Sequence, residues 1–159
     1  MEKKKILKIL MIIGLIIIII DQISKFLVIT LVKNEVVIIS NEILTITKVE
    51  NEGFAFGLNK QNILNISLSI VIIIVLIRYL ISQRERNSKK IVIYLGLIIA
   101  GGISNIIDRI IRGAVFDFIK IGQFPVFNVA DICIVVGWIL FVLYFLKDTA
   151  IDFKAEAQK

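Results

Sequence analysis

Apolar residues fall along this chain in four long runs, at 9–32, 63–81, 91–111 and 126–146. Each approximates the roughly 20 residues that a helix needs to cross a bilayer. The segment between the first two runs behaves differently. Glu42-Ile43-Leu44-Thr45-Ile46-Thr47-Lys48-Val49 alternates polar and apolar positions and is rich in β-branched residues, as a half-exposed strand is. It leads into Asn51-Glu52-Gly53-Phe54-Ala55-Phe56-Gly57, where two glycines bracket aromatics in the manner of a turn or bulge at a membrane surface. The pattern predicts an all-α integral membrane protein. Its four transmembrane helices carry a small extracytoplasmic β-sheet segment, at about 33–62, between helices 1 and 2. The whole chain, 1–159, reads as a single membrane domain. The start imitates a secretory leader, but no small-residue cleavage site follows and the apolar pattern resumes after Lys25, which predicts a retained helix.

Composition sharpens the class. With 58% hydrophobic residues and a mean hydropathy of +0.93, the chain is not an ordinary water-soluble domain. The net charge of +6 does not point to nucleic acid, because the basic residues flank the apolar runs. They gather before the first run (Lys3, Lys4, Lys5, Lys8), between the second and third (Arg84, Arg86, Lys89, Lys90) and after the fourth (Lys147, Lys154, Lys159). Basic segments stay in the cytoplasm, so both termini and that loop are expected there, in a multi-pass protein of the cell membrane. The lone cysteine, Cys133, allows no internal disulfide and reads as a packing residue. The absence of histidine removes His-based zinc sites and a Ser-His-Asp triad, leaving paired carboxylates as the chief hydrolytic chemistry.

Four aspartates lie at the outer ends of these runs: Asp21, Asp108, Asp117 and Asp131. An ionisable side chain within a span costs about 2.5–3.5 kcal/mol, so several at one level argue for a shared site. Asp21 and Lys25 stand four apart and can pair on one helix face. Gly96, Ala100, Gly101 and Ser104 form a run of small residues that lets another helix approach. Asn105, Asp108 and Arg109 follow on one polar face, with Arg112 also in reach of Asp108. Flanked by two arginines, Asp108 suits a scaffold or a substrate clamp. Asp117 and Asp131 have no cation beside them in sequence, and Asn128 lies three residues before Asp131. Brought together, two such carboxylates could share one proton, one acting as base toward water and the other polarising a scissile carbonyl. A small proton-coupled transporter would also gather intramembrane acids, although the chain shows no inverted repeat. A structural or assembly subunit would explain the spans but leave Asp117 and Asp131 without a role. On the residues alone these readings stay open.

In order along the chain stand Asp21-Gln22-x-x-Lys25, Asn51-x-Gly53-x-Ala55-Phe56, Gly101-Gly102-x-x-Asn105-x-x-Asp108-Arg109, Val115-x-Asp117-Phe118 and Phe127-Asn128-x-Ala130-Asp131. Together they resemble the motifs of bacterial lipoprotein signal peptidase, or signal peptidase II. The stretch between Phe118 and Ala130 is short by comparison. The resemblance implies an aspartic endopeptidase within the membrane that cuts prolipoproteins just before a cysteine carrying diacylglyceryl. It implies Asp117 and Asp131 as the catalytic dyad. Asn105, Asp108, Arg109 and Asn128 would order the site and bind substrate, while Asn51, Gly53, Asp21 and Lys25 would support the sheet and first span. The implied partners are lipid-modified prolipoproteins and membrane lipids, the implied state a monomer, and no metal or organic cofactor is implied.

Overall fold

Runs of isoleucine, leucine and valine with few interruptions suit helices that meet lipid on most sides, and only one helix here needs to be apolar and small at once. The computed structural model describes residues 2–33, 36–40, 43–52, 61–83 and 88–156. In chain order these form α1 (Lys3–Leu31), β1 (Val36–Ser40), β2 (Leu44–Asn51), α2 (Gln61–Ser82), α3 (Lys89–Arg112), β3 (Val115–Ile121) and α4 (Val129–Glu156). All four helices are long and apolar enough to cross a membrane. The most apolar window of α3 is 56% buried, against 17%, 6% and 11% for α1, α2 and α4, so α3 is the central post.

The ends of α3 are set by local chemistry. Ser88 caps its start, its side chain accepting from the Ile91 N–H at 3.4 Å. At the other end Gly113 takes a left-handed φ of 82°, which turns the chain directly into β3. Around α3 the helices pack by close approach, because in lipid the hydrophobic effect between spans is weak and contact itself must hold them. A Cβ on Gly101 would lie 2.5 Å from the Ala130 carbonyl oxygen, and one on Gly137 would lie 2.7 Å from that of Tyr94. The expected small-residue face is thus in use: Gly101 meets α4, while Gly96 meets Leu10 and Ile13 of α1. Gly137, the matching gap on α4, carried no signal in the pattern.

At the end remote from the sheet, Ile6, Leu80, Ile91, Val92, Leu95, Ile98 and Ile99 form the apolar core. At the other end stands an antiparallel sheet in the order β1-β2-β3. In it Val49 pairs with Asp117 and Asn51 with Val115, with an irregularity in β2 between Ile46 and Val49. The sheet therefore draws its third strand from between α3 and α4, and that strand carries Asp117. Three boundaries move from those expected. The first helix starts at Lys3, so the basic leader is helical; the fourth starts at Val129, because Phe127 is held extended by reciprocal bonds with Ile119 of 2.8 and 2.9 Å, and it runs on past 146 to Glu156. The turn expected around Gly53 and Gly57 lies outside the described residues.

Replacing Gly101 by Ala forces a backbone contact apart and is expected to cost about 1–3 kcal/mol. Gly14→Ala, where nothing lies within 4 Å, is expected to be neutral or stabilising by up to about 1 kcal/mol. Thermal unfolding of the two variants in detergent checks both.

Candidate active site

An amine buried in protein must find an acceptor for each of its three N–H bonds, and Lys25 finds three. Its Nζ lies 2.7 Å from Asp21 Oδ2, 2.6 Å from Asp108 Oδ2 and 3.4 Å from Asn105 Oδ1. All of Lys25, Asp21 and Asp108 is fully buried. Asp21 also accepts from Ser104 Oγ at 2.7 Å and from the Ala130 N–H at 2.9 Å, one of the free amides of the α4 start. Asp108 accepts from Gln22 Nε2 at 2.9 Å and from the Phe116 N–H at 3.2 Å, and pairs with Arg112. Two carboxylates thus meet two cations, and α1, α3, α4 and β3 are tied at one point.

Asn105 carries this cluster into a second one. Its Oδ1, already in contact with Lys25, accepts from Asn128 Nδ2 at 3.1 Å, and its Nδ2 donates to Asp131 Oδ1 at 2.8 Å. Asn128 precedes α4 and caps it. Its Oδ1 accepts from the Asp131 N–H at 2.9 Å, while Asp131 Oδ2 accepts from the Asn128 N–H at 3.2 Å. This is a capping box with Asn and Asp in the usual Ser and Glu places, so ordinary helix-start chemistry fixes the Asp131 carboxylate. The same Asn128 amide donates to Asp117 Oδ1 at 2.7 Å, and Asn51 Nδ2 donates to Asp117 Oδ2 at 2.9 Å. Each carboxylate receives two donors, and Asn128 touches both residues. The acceptor-only oxygens also dictate which way each asparagine amide is turned.

Arg109 departs from expectation. The sequence paired it with Asp108 and left Asp117 and Asp131 without a cation. In the fold Asp108 is served by Lys25 and Arg112, and the charges that act on Arg109 include those of Asp131 and Asp117 as well as that of Asp108. Arg109 Nη1 reaches its own helix at Asn105 O, 3.5 Å away, and its buried Nε has no hydrogen-bond partner among the described residues. Burial pushes the Asp117 carboxyl up to about 6. The hydrogen bond from Asn51 opposes that rise, the charge of Asp131 adds to it, and Asn128 and Lys25 oppose it.

The fold brings Asp21, Lys25, Asn51, Asn105, Asp108, Arg109, Asp117, Asn128 and Asp131 into one connected network. Gly53 lies outside the described residues. Ser104 and Gln22 hold Asp21 and Asp108, roles the sequence did not suggest for them; for Ser104, its place four residues before Asp108 on one helix face was the available signal. Among the described residues no group of three or more His, Cys, Asp or Glu side chains could hold a metal ion.

A family model described as Signal peptidase (SPase) II matches residues 13–147. The chain is 38% identical over 137 residues to the lipoprotein signal peptidase of Shouchella clausii, covering 85% of this chain and 91% of that protein. It is 32% identical over 156 residues to that of Staphylococcus aureus, covering 94% and 95%. The fold matches a solved structure described as "Bacterial membrane enzyme structure by the in meso method at 1.9 A resolution". Its TM-score is 0.79 and its identity 32%, over 87% of this chain and 93% of that one.

Removing the Lys25 charge with Lys25→Met leaves two buried carboxylates facing each other and is expected to cost about 3–5 kcal/mol, read from chemical or thermal unfolding in detergent. Asp117 yields a pH test. An unfolded aspartate releases its proton near pH 3.8 and the native one near 6, so between these values the folded protein holds a proton that the unfolded chain has lost. Wild-type stability is therefore expected to fall as pH rises through this window. Asp117→Asn removes that slope while adding a pH-independent offset, so unfolding measured across the window separates the two.

Proposed function

We propose that this chain, which belongs to the signal peptidase II family, removes the signal peptide from prolipoproteins by aspartic endopeptidase chemistry at the level of the sheet. The observation that carries this reading is the single amide of Asn128, which bonds the carboxylate of Asp117 and caps the backbone of Asp131. The two acids come from different elements, β3 and α4, yet share one hydrogen-bonded frame. With one proton between them, their net charge balances that of Arg109. One carboxylate draws a proton from water as the water attacks the scissile carbonyl, and the protonated partner donates to the carbonyl oxygen; as the C–N bond breaks, the first carboxyl passes its proton to the leaving amine and the partner takes one back from the gem-diol, which restores the single shared proton. A carboxyl titrating near 6 is well placed for such exchange close to neutrality.

The orphaned Nε of Arg109 supports a role in holding the substrate, because a buried donor without a partner is costly unless something bound completes it. Asn105 and Asn128 order the dyad, Asp108 orders the turn into β3, and Asp21 and Lys25 anchor the start of α4. Asn51 serves Asp117 from the sheet. Gly53 is assigned to the same support by the family motif alone.

The positions of the basic residues put both termini and the α2–α3 connection in the cytoplasm and the sheet with its aspartates at the outer face of the cell membrane. A lipid-anchored substrate partitions into the bilayer, so its cleavage point, just before the diacylglyceryl-bearing cysteine, arrives at this level without leaving the membrane. The chain works as one membrane domain, as a monomer, and needs no cofactor in this scheme.

Purified protein in detergent is expected to cleave a diacylglyceryl-modified precursor, and Asp117→Asn or Asp131→Asn to slow that cleavage by about 10²–10⁴-fold at unchanged folding. Normal cleavage by both variants would remove the dyad. An uncut precursor with wild type would remove the peptidase reading.

A further inference from the structure

On the sheet face turned away from Asp117 lies a cavity of about 340 Å³ that the catalytic scheme does not use. Cross-strand pairing sets the two faces. Val49 and Asp117 are partners on the catalytic side, whereas Glu50 and Phe116 are partners on the other. Ile29, Lys48, Glu50, Arg112, Ala114 and Phe116 line the cavity. Its size falls within the roughly 300–1,000 Å³ of small-molecule clefts.

Three features identify the occupant. Depth is the first: Ile29 stands near the end of α1, and Arg112 is the last residue of α3, so the cavity opens where two spans leave the apolar layer and lipid headgroups begin. Charge is the second: two cations against one acid give the lining a net charge of +1. Arg112 also faces Asp108, which with Asp21 takes up the charges of Lys25 and Arg112, so Lys48 is the cation of the lining that pairs with no carboxylate among the described residues. Spare donors and acceptors are the third. Lys48 Nζ spends one N–H on the Ile29 carbonyl at 3.2 Å. Arg112 spends Nη1 on Asp108 and Gln22, its other nitrogens bond no described residue, and its side chain is 29% exposed. Glu50 is exposed and forms no ion pair among the described residues.

We propose that this cavity binds the headgroup of an anionic glycerophospholipid of the phosphatidylglycerol kind. The phosphodiester lies between Lys48 and Arg112, Glu50 accepts from the headgroup hydroxyls, and Ile29 and Phe116 contact the start of the acyl chains. Arg112 also joins this lipid to Asp108, whose other oxygen holds the Phe116 amide, so the bound lipid steadies the turn from α3 into β3. The proposal rests on the chain spanning a membrane and not on the peptidase reading.

Native mass spectrometry of the full chain, released from detergent micelles doped with phosphatidylglycerol or with phosphatidylcholine, tests it without any activity assay. Wild type is expected to retain phosphatidylglycerol saturably and in preference to phosphatidylcholine. Lys48→Glu should weaken that affinity at least about fivefold, the effect of one surface cation. Lys48→Gln, which keeps a donor for Ile29 but no charge, should weaken it in the same direction should the charge reversal disturb folding. Lys120→Glu, exposed at the far end of β3, should leave it unchanged. Equal retention of the two lipids, or a Lys48→Gln variant that binds as wild type does, would overturn the proposal. Displacement of the lipid by free glycerol 3-phosphate at equal concentration would overturn the lipid assignment in favour of a soluble phosphate ester.

Discussion

Four elements that build the site, α1, α3, α4 and β3, are fastened to one buried ammonium group. Lys25 alone would be intolerable in an apolar bundle; with Asp21, Asp108 and Asn105 around it, each of its protons has an acceptor and its charge is matched. Such a pair contributes little net stability over an apolar replacement of equal volume, since desolvation offsets most of the attraction. Its value here is geometrical. Asp21 reaches across to an amide at the start of α4 and Asp108 to an amide of β3, so the two elements carrying Asp131 and Asp117 are indexed to the same amine.

From this anchor the candidate dyad is assembled by local rules. The Asp131 carboxylate is aimed by a capping box, the same device that starts a helix in any soluble protein. Asp117 is aimed by strand pairing with β2, which also delivers Asn51 to its second oxygen. Where backbone and side chain must come close, glycine makes room: Gly101 lets α4 start against α3, and Gly113 turns α3 into β3 within two residues. The site is thus preorganised by backbone geometry, and water or substrate need only displace contacts on its open side.

The four spans were legible because apolar runs of membrane length admit few other readings, and β2 was legible because Glu42 to Val49 alternates. β1 was not, since Val36-Val37-Ile38-Ile39-Ser40 has no alternation to set it apart. β3 was missed for a different reason: seven residues between two spans carry little local signal, and their partner strand is 66 residues away at the bond from Asn51 to Asp117. The four aspartates were visible as anomalies of cost, and the Asp21–Lys25 pair followed from helical spacing. Of the partners of Asp108, Arg112 followed from the same spacing and Lys25 did not. Arg109 stands next to Asp108 in sequence but forms no ion pair with it among the described residues, whereas Lys25 arrives from α1, and its contact with Asn105 spans 80 residues of chain. Helical spacing gives neighbours on one helix; which of them turns inward is decided by the other helices.

The central claim is that Asp117 and Asp131 form one electrostatically coupled acid pair. Isotope-edited infrared spectroscopy of the aspartate carboxyls, followed as a function of pH in wild type, Asp117→Asn and Asp131→Asn, tests it most directly. A coupled pair gives a carboxyl band that titrates near pH 6, is absent from Asp117→Asn, and moves to lower pH in Asp131→Asn, because the charge of Asp131 helps to hold that proton. A band that titrates identically in wild type and Asp131→Asn would show two carboxylates that do not sense each other, and would contradict the pair.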